Sequence, residues 1–514
     1  MGTGRINKLR SRESIINATI SMIMYIITIL VGFIAQAIFI KTLGNLYLGL
    51  NGLFGNIISI LAIVELGFGA AIIYNLYRPL AENDQETIKS IMKYYQKIYR
   101  VIAVIVFILG LCIFPFLTTI VGKIAIPESI YFIFFLYLID TVASYFLSYK
   151  RSIFYADQKT YVINIIHIGY LILMNSLQIL VLLRYKNFIT YLVIKILFRI
   201  FENLVITILA NKKYRYLIEK NIQPLEFSIR NDIIEKVKGL FFHQIGSALV
   251  LGTDNIIIAM TRSLGIITVG VYSNYNMIIV AVNSLFSQVF ISITATVGNL
   301  LIENKPVQSY KVYKNMLLLN SWLFTFVAAS VLCMIEPFIT LWIGASYILP
   351  KFVLIVLVIN LYLYGMRSTC STFKNAAGIF YEDRFVPIVE LLLKIIFSLL
   401  FVKYFGLAGI FMGTIVSSFP LYFYSYPKYV YGVIFQKSNL QFAKDYIKYI
   451  LVTLISVLPT YLLTEYYRFN SAWLQLLFNG VLCLIIPNLI CYLFFRKTVE
   501  YQYCKGLIVG IFRR

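Results

Sequence analysis

Charge is what this chain has least of. Only 13% of its 514 residues are Asp, Glu, Lys or Arg, and 60% are apolar, whereas soluble domains carry about 25% charged residues. That balance excludes a soluble enzyme. Histidine occurs twice, at His167 and His243, and the cysteines at 112, 333, 370, 483, 491 and 504 form no C-x-x-C pair. Neither a metal centre nor a disulfide framework is expected from so few ligands at such spacings. No G-x-x-x-x-G-K-[ST] phosphate loop is present, so ATP hydrolysis on this chain is not expected. The strict apolar/polar alternation of an outer-membrane barrel strand is also missing, since runs such as Val101 to Val121 are apolar on every side.

What remains is an all-α polytopic membrane protein. At roughly 20 residues per span, apolar runs predict fourteen transmembrane helices, near 15–40, 47–75, 98–121, 130–149, 162–183, 188–210, 240–261, 266–302, 316–341, 352–373, 385–402, 407–427, 447–464 and 472–495. The first run follows Arg5, Lys8, Arg10 and Arg12. It exceeds the 7–15 apolar residues of a signal peptide, and so reads as an uncleaved helix.

Basic residues outnumber acidic ones 45 to 22, a net charge of +23. They sit in short loops between spans, which points to anionic lipid and cytoplasmic retention rather than to nucleic acid. With the N-terminus inside, 33 of the 45 fall on the cytoplasmic side, including Lys212, Lys213, Arg215, Lys220, Arg230, Lys236 and Lys238. Both termini are then cytoplasmic, in the plasma membrane. The outside loops are short, leaving no room for an extracellular catalytic domain.

Shifted by 221 residues, the chain matches itself. Lys41-Thr-Leu-Gly44 with Gly49-Leu50 falls on Arg262-Ser-Leu-Gly265 with Gly270-Val271, Glu82-Asn83 on Glu303-Asn304, and Lys93 on Lys314. The expected organisation is a six-helix lobe over residues 1–210, a basic linker over 211–239, a second six-helix lobe over 240–431, and two extra helices with a tail over 432–514. Two parallel repeats of this kind are transporter architecture, in which a substrate site between the halves opens alternately to either side.

Polar residues inside the spans are the candidates for that site, because an ionisable group at the bilayer centre costs at least about 2.5–3.5 kcal/mol unless it faces protein or water. Four are cations, Lys195, Arg199, Arg367 and Lys394, which suit an anionic head group, Arg being matched to bidentate phosphate contact. Their bland alternative is mutual satisfaction with Glu202 and Glu390, or snorkelling. Four are acids, Glu65, Asp140, Asp254 and Glu390, read either as groups coupled to H⁺ or Na⁺ or as structural hydrogen-bond partners. Asn51, His243, Ser247, Asn276 and Asn283 complete the polar lining. Asn51, Gly55, Ala62, Glu65 and Gly69 share one face of an uninterrupted helix at 100° per residue, with packing by small residues as the alternative. His167 reads as a packing histidine. Tyr422, Tyr424, Tyr426, Tyr429 and Tyr431 are expected in the aromatic belt at the membrane surface.

The stretch from Phe39 to Ala81, above all Glu65-Leu-Gly67 and Tyr77-Arg-Pro-Leu80, resembles the first loop and second helix of Wzx-type polysaccharide transporters, flippases of the multidrug/oligosaccharidyl-lipid/polysaccharide exporter superfamily. Lys374 to Ile388 is similar to their segment between helices 10 and 11. The resemblance implies a two-lobed MATE-like fold. It further implies flipping of an undecaprenyl-pyrophosphate-linked oligosaccharide for capsular or surface polysaccharide, an ion gradient as energy source in some members, and a glycan polymerase as partner. No other cofactor is implied, and the protein would be a transporter rather than an enzyme. The four intramembrane acids keep a cation-coupled drug antiporter of the same superfamily open, and a membrane glycan polymerase stands as a third reading.

Overall fold

The structure, a computed structural model, describes residues 2–65, 67–219, 221–303, 306–379 and 382–512; side chains are further left undescribed at 2–15, 18, 239–248, 250–251, 288–289, 291–292, 295–296, 299, 302–303 and 507–512. Among the described residues there is no strand. Seventeen α-helices follow one another: α1 (Gly2–Leu61), α2 (Phe68–Glu82), α3 (Gln85–Ile113), α4 (Leu117–Val121), α5 (Ile130–Ser148), α6 (Arg151–Ala156), α7 (Thr160–Tyr185), α8 (Phe188–Lys213), α9 (Phe227–Met260), α10 (Gly265–Glu303), α11 (Pro306–Trp342), α12 (Lys351–Ala376), α13 (Val386–Phe405), α14 (Leu407–Ser417), α15 (Asn439–Tyr466), α16 (Ala472–Phe495) and α17 (Val499–Phe512).

Ten helices among the described residues are long and apolar enough to cross a membrane. The larger predicted number is compatible with this. Predicted spans 15–40 and 47–75 are joined in α1, which is non-helical at Gly44 (φ 81°). The spans on α8 and α13 are interrupted by charge, Lys195, Arg199 and Glu202 on one and Glu390, Lys394 and Lys403 on the other. Lipid-facing surface is explicit on α15, where Leu451, Leu454, Leu458 and Leu462 are each more than half exposed while Val452, Ser456 and Thr460 behind them are buried. Such a leucine stripe would drive aggregation in water and is simply solvated by acyl chains. The protein is a multi-pass membrane protein.

The chain forms two compact units, Met1–Ser273 and Asn274–Arg514. In the first, α1 packs on α7 and α9, α5 on α3 and α8, and α2 on α3 and α6. In the second, α11 is the hub for α12, α15, α16 and α17, and α13 pairs with α14. The repeat expected from sequence has a backbone signature. Gly44 and Gly265, equivalent through the 221-residue shift, both adopt left-handed φ, 81° and 70°, a conformation that glycine takes at no steric cost. Their neighbours Gly49 and Gly270 face each other's repeat at the backbone: a Cβ on Gly49 would lie 2.0 Å from the Ile266 carbonyl oxygen, and one on Gly270 2.4 Å from that of Asn45. Only glycine fits at either point, as in other close helix crossings. Of the match at Glu303 and Asn304, Asn304 and the side chain of Glu303 lie outside what the structure describes.

Two expectations are corrected. The span predicted over 47–75 is not one helix: α1 ends at Leu61, Ala62–Glu65 tightens into a 3₁₀ turn, and α2 starts at Phe68 after Gly67 at φ 94°. Gly69, beyond the break, still faces the tyrosines of Glu65: a Cβ on it would lie 3.4 Å from the Tyr95 hydroxyl and 3.9 Å from that of Tyr99. The tyrosines after α14 are also not a membrane-surface belt. Leu421–Ile434 is a π-helical segment containing Pro427, and Tyr426, Tyr429 and Tyr431 on it are buried, with Tyr424 left half exposed. Buried phenols need partners. Tyr431 and Tyr310 both donate to Asp445 Oδ2, at 2.9 and 2.6 Å.

Candidate functional site: charge clusters within the spans

On α8 the four- and three-residue spacing of Lys195, Arg199 and Glu202 places them on one face, mid-way along 26 residues. They do not satisfy one another. Asp140, ten residues into α5, accepts from Arg199 Nε at 2.5 Å through Oδ1 and from Lys195 Nζ at 3.3 Å through Oδ2. Glu202 turns the other way. It is held by Arg151 Nη2 at 2.9 Å and by His167 Nδ1 at 2.8 Å, and Arg151 also donates to Asn203 Oδ1 at 2.8 Å. His167 thus packs as a partnered histidine.

Two cations against one carboxylate leave the Asp140 cluster with an excess positive charge. Asp140 is 7% exposed at the side chain, but Lys195 and Arg199 keep 27% and 32% of theirs accessible. Accessible cationic surface within a span is costly against hydrocarbon and is suited to water or a polar ligand. Tyr137 braces the arrangement. Lys195 Nζ stands 5.1 Å over its ring, and its hydroxyl donates to Asn51 Oδ1, which links the predicted polar residue on α1 to the cation pair.

Glu65 sits where the helix breaks. Its carboxylate accepts from the Tyr99 hydroxyl on α3, which in turn accepts from Tyr95 at 2.7 Å, and both phenols are buried. The Glu65 carboxylate at the interrupted helix is thus tied by hydrogen bonds to a pair of buried phenols. Asp254 on α9 is half-buried and close to Tyr272 of α10. His243 and Ser247 lie outside the residues whose side chains are described.

In the second unit, Arg367 of α12 lies 3.5 Å from Glu390 Oε1 on α13 and stacks 4.7 Å over the Tyr364 ring, with 28% of its side chain accessible. Glu390 and Lys394, four residues apart on α13, are buried, Lys394 at 1% exposure. Arg367 therefore offers accessible cationic surface and Lys394 does not. Asn276 and Asn283 of α10 are half-buried, and Asn283 Oδ1 has no hydrogen-bond partner among the described residues. Lys374 and Asp383 form a buried ion pair joined by Ser425 Oγ at 2.8 Å, which makes part of the Lys374 to Ile388 segment a clasp between α12 and α13.

Sequence reasoning missed Arg151, Tyr95, Tyr99 and Tyr137. Arg151 reads as a loop cation because it follows the apolar run of α5; only the short return helix α6 brings it under Glu202. The tyrosines carried a weak signal, since Tyr95 and Tyr99 are four residues apart on α3 and so share a face.

The fold is shared with transporters of known structure. The chain is similar to the lipid II flippase MurJ in its inward closed conformation, with a TM-score of 0.67 at 15% identity, covering 94% of this chain and 100% of that one. It is similar to an inward-facing multidrug resistance MATE family transporter of the MOP superfamily, with a TM-score of 0.57 at 15% identity over 78% and 94% of the two chains. A third likeness is to the Vibrio cholerae MATE transporter VcmN, at a TM-score of 0.52 and 16% identity over 87% and 98%. No protein-family model and no curated protein sequence matches the chain.

Proposed function

We propose that this protein is a flippase that moves a polyprenyl-pyrophosphate-linked oligosaccharide from the cytoplasmic to the outer leaflet of the plasma membrane, for capsular or other surface polysaccharide. The observation that carries the reading is the Asp140 cluster: two partly accessible cations share one carboxylate at mid-span, a net positive charge that a pyrophosphate neutralises. Charge-assisted contacts to phosphate are each worth roughly 1.5–3 kcal/mol, and Arg199 presents N–H groups beyond the one given to Asp140. Arg367 is the matching cation of the second unit. Lys394, being buried, orders Glu390 and α13 rather than touching substrate. The fold is that of a protein named as a lipid II flippase, whose cargo is also lipid-linked, and this supports the reading without identifying the sugars. Termini in the cytoplasm, the six-helix lobes and an association with a glycan polymerase belong to the same proposal.

Glu65, with Tyr99 and Tyr95 behind it, is the acid through which H⁺ or Na⁺ would couple; Asp254 is the second. The same acids, and the likeness to MATE transporters, support the alternative of a cation-coupled drug antiporter. Purified protein in proteoliposomes separates the two. A flippase exposes a defined lipid-linked oligosaccharide to an outside glycan-modifying reagent and leaves a cationic dye undisturbed; an antiporter does the reverse. Formation of glycosidic bonds by the purified protein alone would establish the polymerase.

A further inference from the structure

A second cationic site lies away from these clusters, under the basic segment that follows α8. After Tyr214 the chain makes a 3₁₀ turn over Arg215–Ile218 and is fastened to α3 at two points: Lys89 Nζ to Glu219 Oε2 at 2.6 Å, and Ser90 Oγ to the Gln223 carbonyl at 2.7 Å. Beneath this latch is a cavity of about 420 Å³ lined by Lys89, Lys93, Gln96, Tyr149, Lys150 and Glu219 among others. That volume falls in the range of small-molecule sites, roughly 300–1,000 Å³.

Its charges do not balance. Lys89 is buried and already holds both Glu86 and Glu219. Lys150 is only 8% exposed, and its ammonium donates to Asn211 Oδ1, a neutral amide; it makes no ion pair with a described residue. Burial pushes the Lys150 ammonium below its ordinary range, the mark of a cation short of compensation. Lys93 makes no ion pair with a described residue either. Its repeat equivalent Lys314 is neutralised by Glu500 at 2.8 Å. Gln96 Nε2 donates to the Tyr149 hydroxyl at 2.9 Å, closing a polar wall.

A buried cation facing a neutral amide beside an open polar cavity is costly unless an anion completes it, and basic pockets between spans on the side of basic loops take phosphate head groups. We propose that this cavity is a binding site for a phosphate or pyrophosphate anion, closed by the Lys89–Glu219 latch and read by Lys93 and Lys150. The source is either an anionic phospholipid head group or a free phosphate compound.

The test uses the full chain in detergent, in a Lys195→Met/Arg199→Ala/Arg367→Ala background so that binding at the Asp140 cluster and at Arg367 does not contribute. Inorganic pyrophosphate should raise the melting temperature saturably. Lys93→Ala, an exposed position that does not threaten folding, and Lys150→Met should each weaken that binding about tenfold or more. Lys97→Ala, the same charge change one helical turn away and outside the cavity, should leave it unaltered. Phosphatidylglycerol nanodiscs that abolish the pyrophosphate response, with the lipid retained in native mass spectra, identify a lipid occupant; an undiminished response there identifies a free phosphate compound. Absence of saturable binding of either probe, or equal losses in Lys93→Ala and Lys97→Ala, overturns the site. Persistence of the signal in that background keeps its fate separate from that of the flippase reading.

Discussion

The molecule handles charge in two opposite ways, with an open cluster in the first unit and closed pairs in the second. In the first, Asp140 is outnumbered by Lys195 and Arg199, and both cations keep about 30% of their side chains accessible. In the second, Lys374 meets Asp383 one to one with 6% and 0% of the side chains accessible, and Lys394 is enclosed with Glu390. A closed one-to-one pair locks helices together and has nothing to offer a ligand. An open two-to-one cluster is poor as a lock, because it leaves charge uncompensated at a depth where that is expensive. The contrast separates charges that hold the fold from charges that await a substrate, and each side of it can be broken.

The largest effect is expected from Asp383→Asn. It leaves Lys374 as a buried cation without its carboxylate, a class of change that costs about 3–5 kcal/mol, and should appear as a steep loss of folded protein on detergent melting. Arg199→Ala should do the converse, lowering flipping of a pyrophosphate-linked lipid by about ten- to a hundredfold, the equivalent of roughly 1.5–3 kcal/mol, while the melting curve barely moves because Lys195 still holds Asp140. Similar melting losses in both variants would erase the distinction.

A middle case is Glu65→Gln. The amide oxygen still accepts from Tyr99, so folding should persist, while the dependence of initial flipping rate on pH or Na⁺ should flatten. An unchanged pH and ion response would remove Glu65 from coupling. The smallest effect belongs to a charge outside the spans. Asp84 caps α3 through the Thr87 hydroxyl and backbone N–H, which hold its carboxyl below the ordinary value of 3.8. Because the folded state favours the ionised form, this cap stabilises fully above that value and is lost as pH falls through the lowered one. Asp84→Ala should cost about 1 kcal/mol at neutral pH, with the difference from wild type vanishing in acid; a difference that grows in acid would contradict the cap.

Much of the fold was legible in the sequence because hydropathy reports which segments avoid water. The glycines that the 221-residue shift pairs do share local geometry, Gly44 and Gly265 in left-handed φ and Gly49 and Gly270 where a Cβ would meet backbone. Hydropathy does not tell lipid from protein interior, and this is why Tyr426, Tyr429 and Tyr431 read as surface tyrosines when they pack inside the second unit. Apolar runs also hide helix breaks. Leu66 and Phe68 flank Gly67 with side chains as apolar as any helix interior, and the turn at Glu65 leaves no mark in composition. The charged candidates were identified by type and depth, but their partners were not: α8 predicts a contact between Arg199 and Glu202, and the packing of α5 and α6 sends those two residues to Asp140 and Arg151 instead.

The account rests most directly on what the open cluster binds. The deciding measurement is the affinity of the purified chain for a polyprenyl pyrophosphate, compared between wild type and a Lys195→Met/Arg199→Ala double variant of equal melting temperature. A drop of at least about a hundredfold, the sum of two charge-assisted contacts, is the predicted result; equal affinity in the two proteins would contradict the assignment of these cations to the head group.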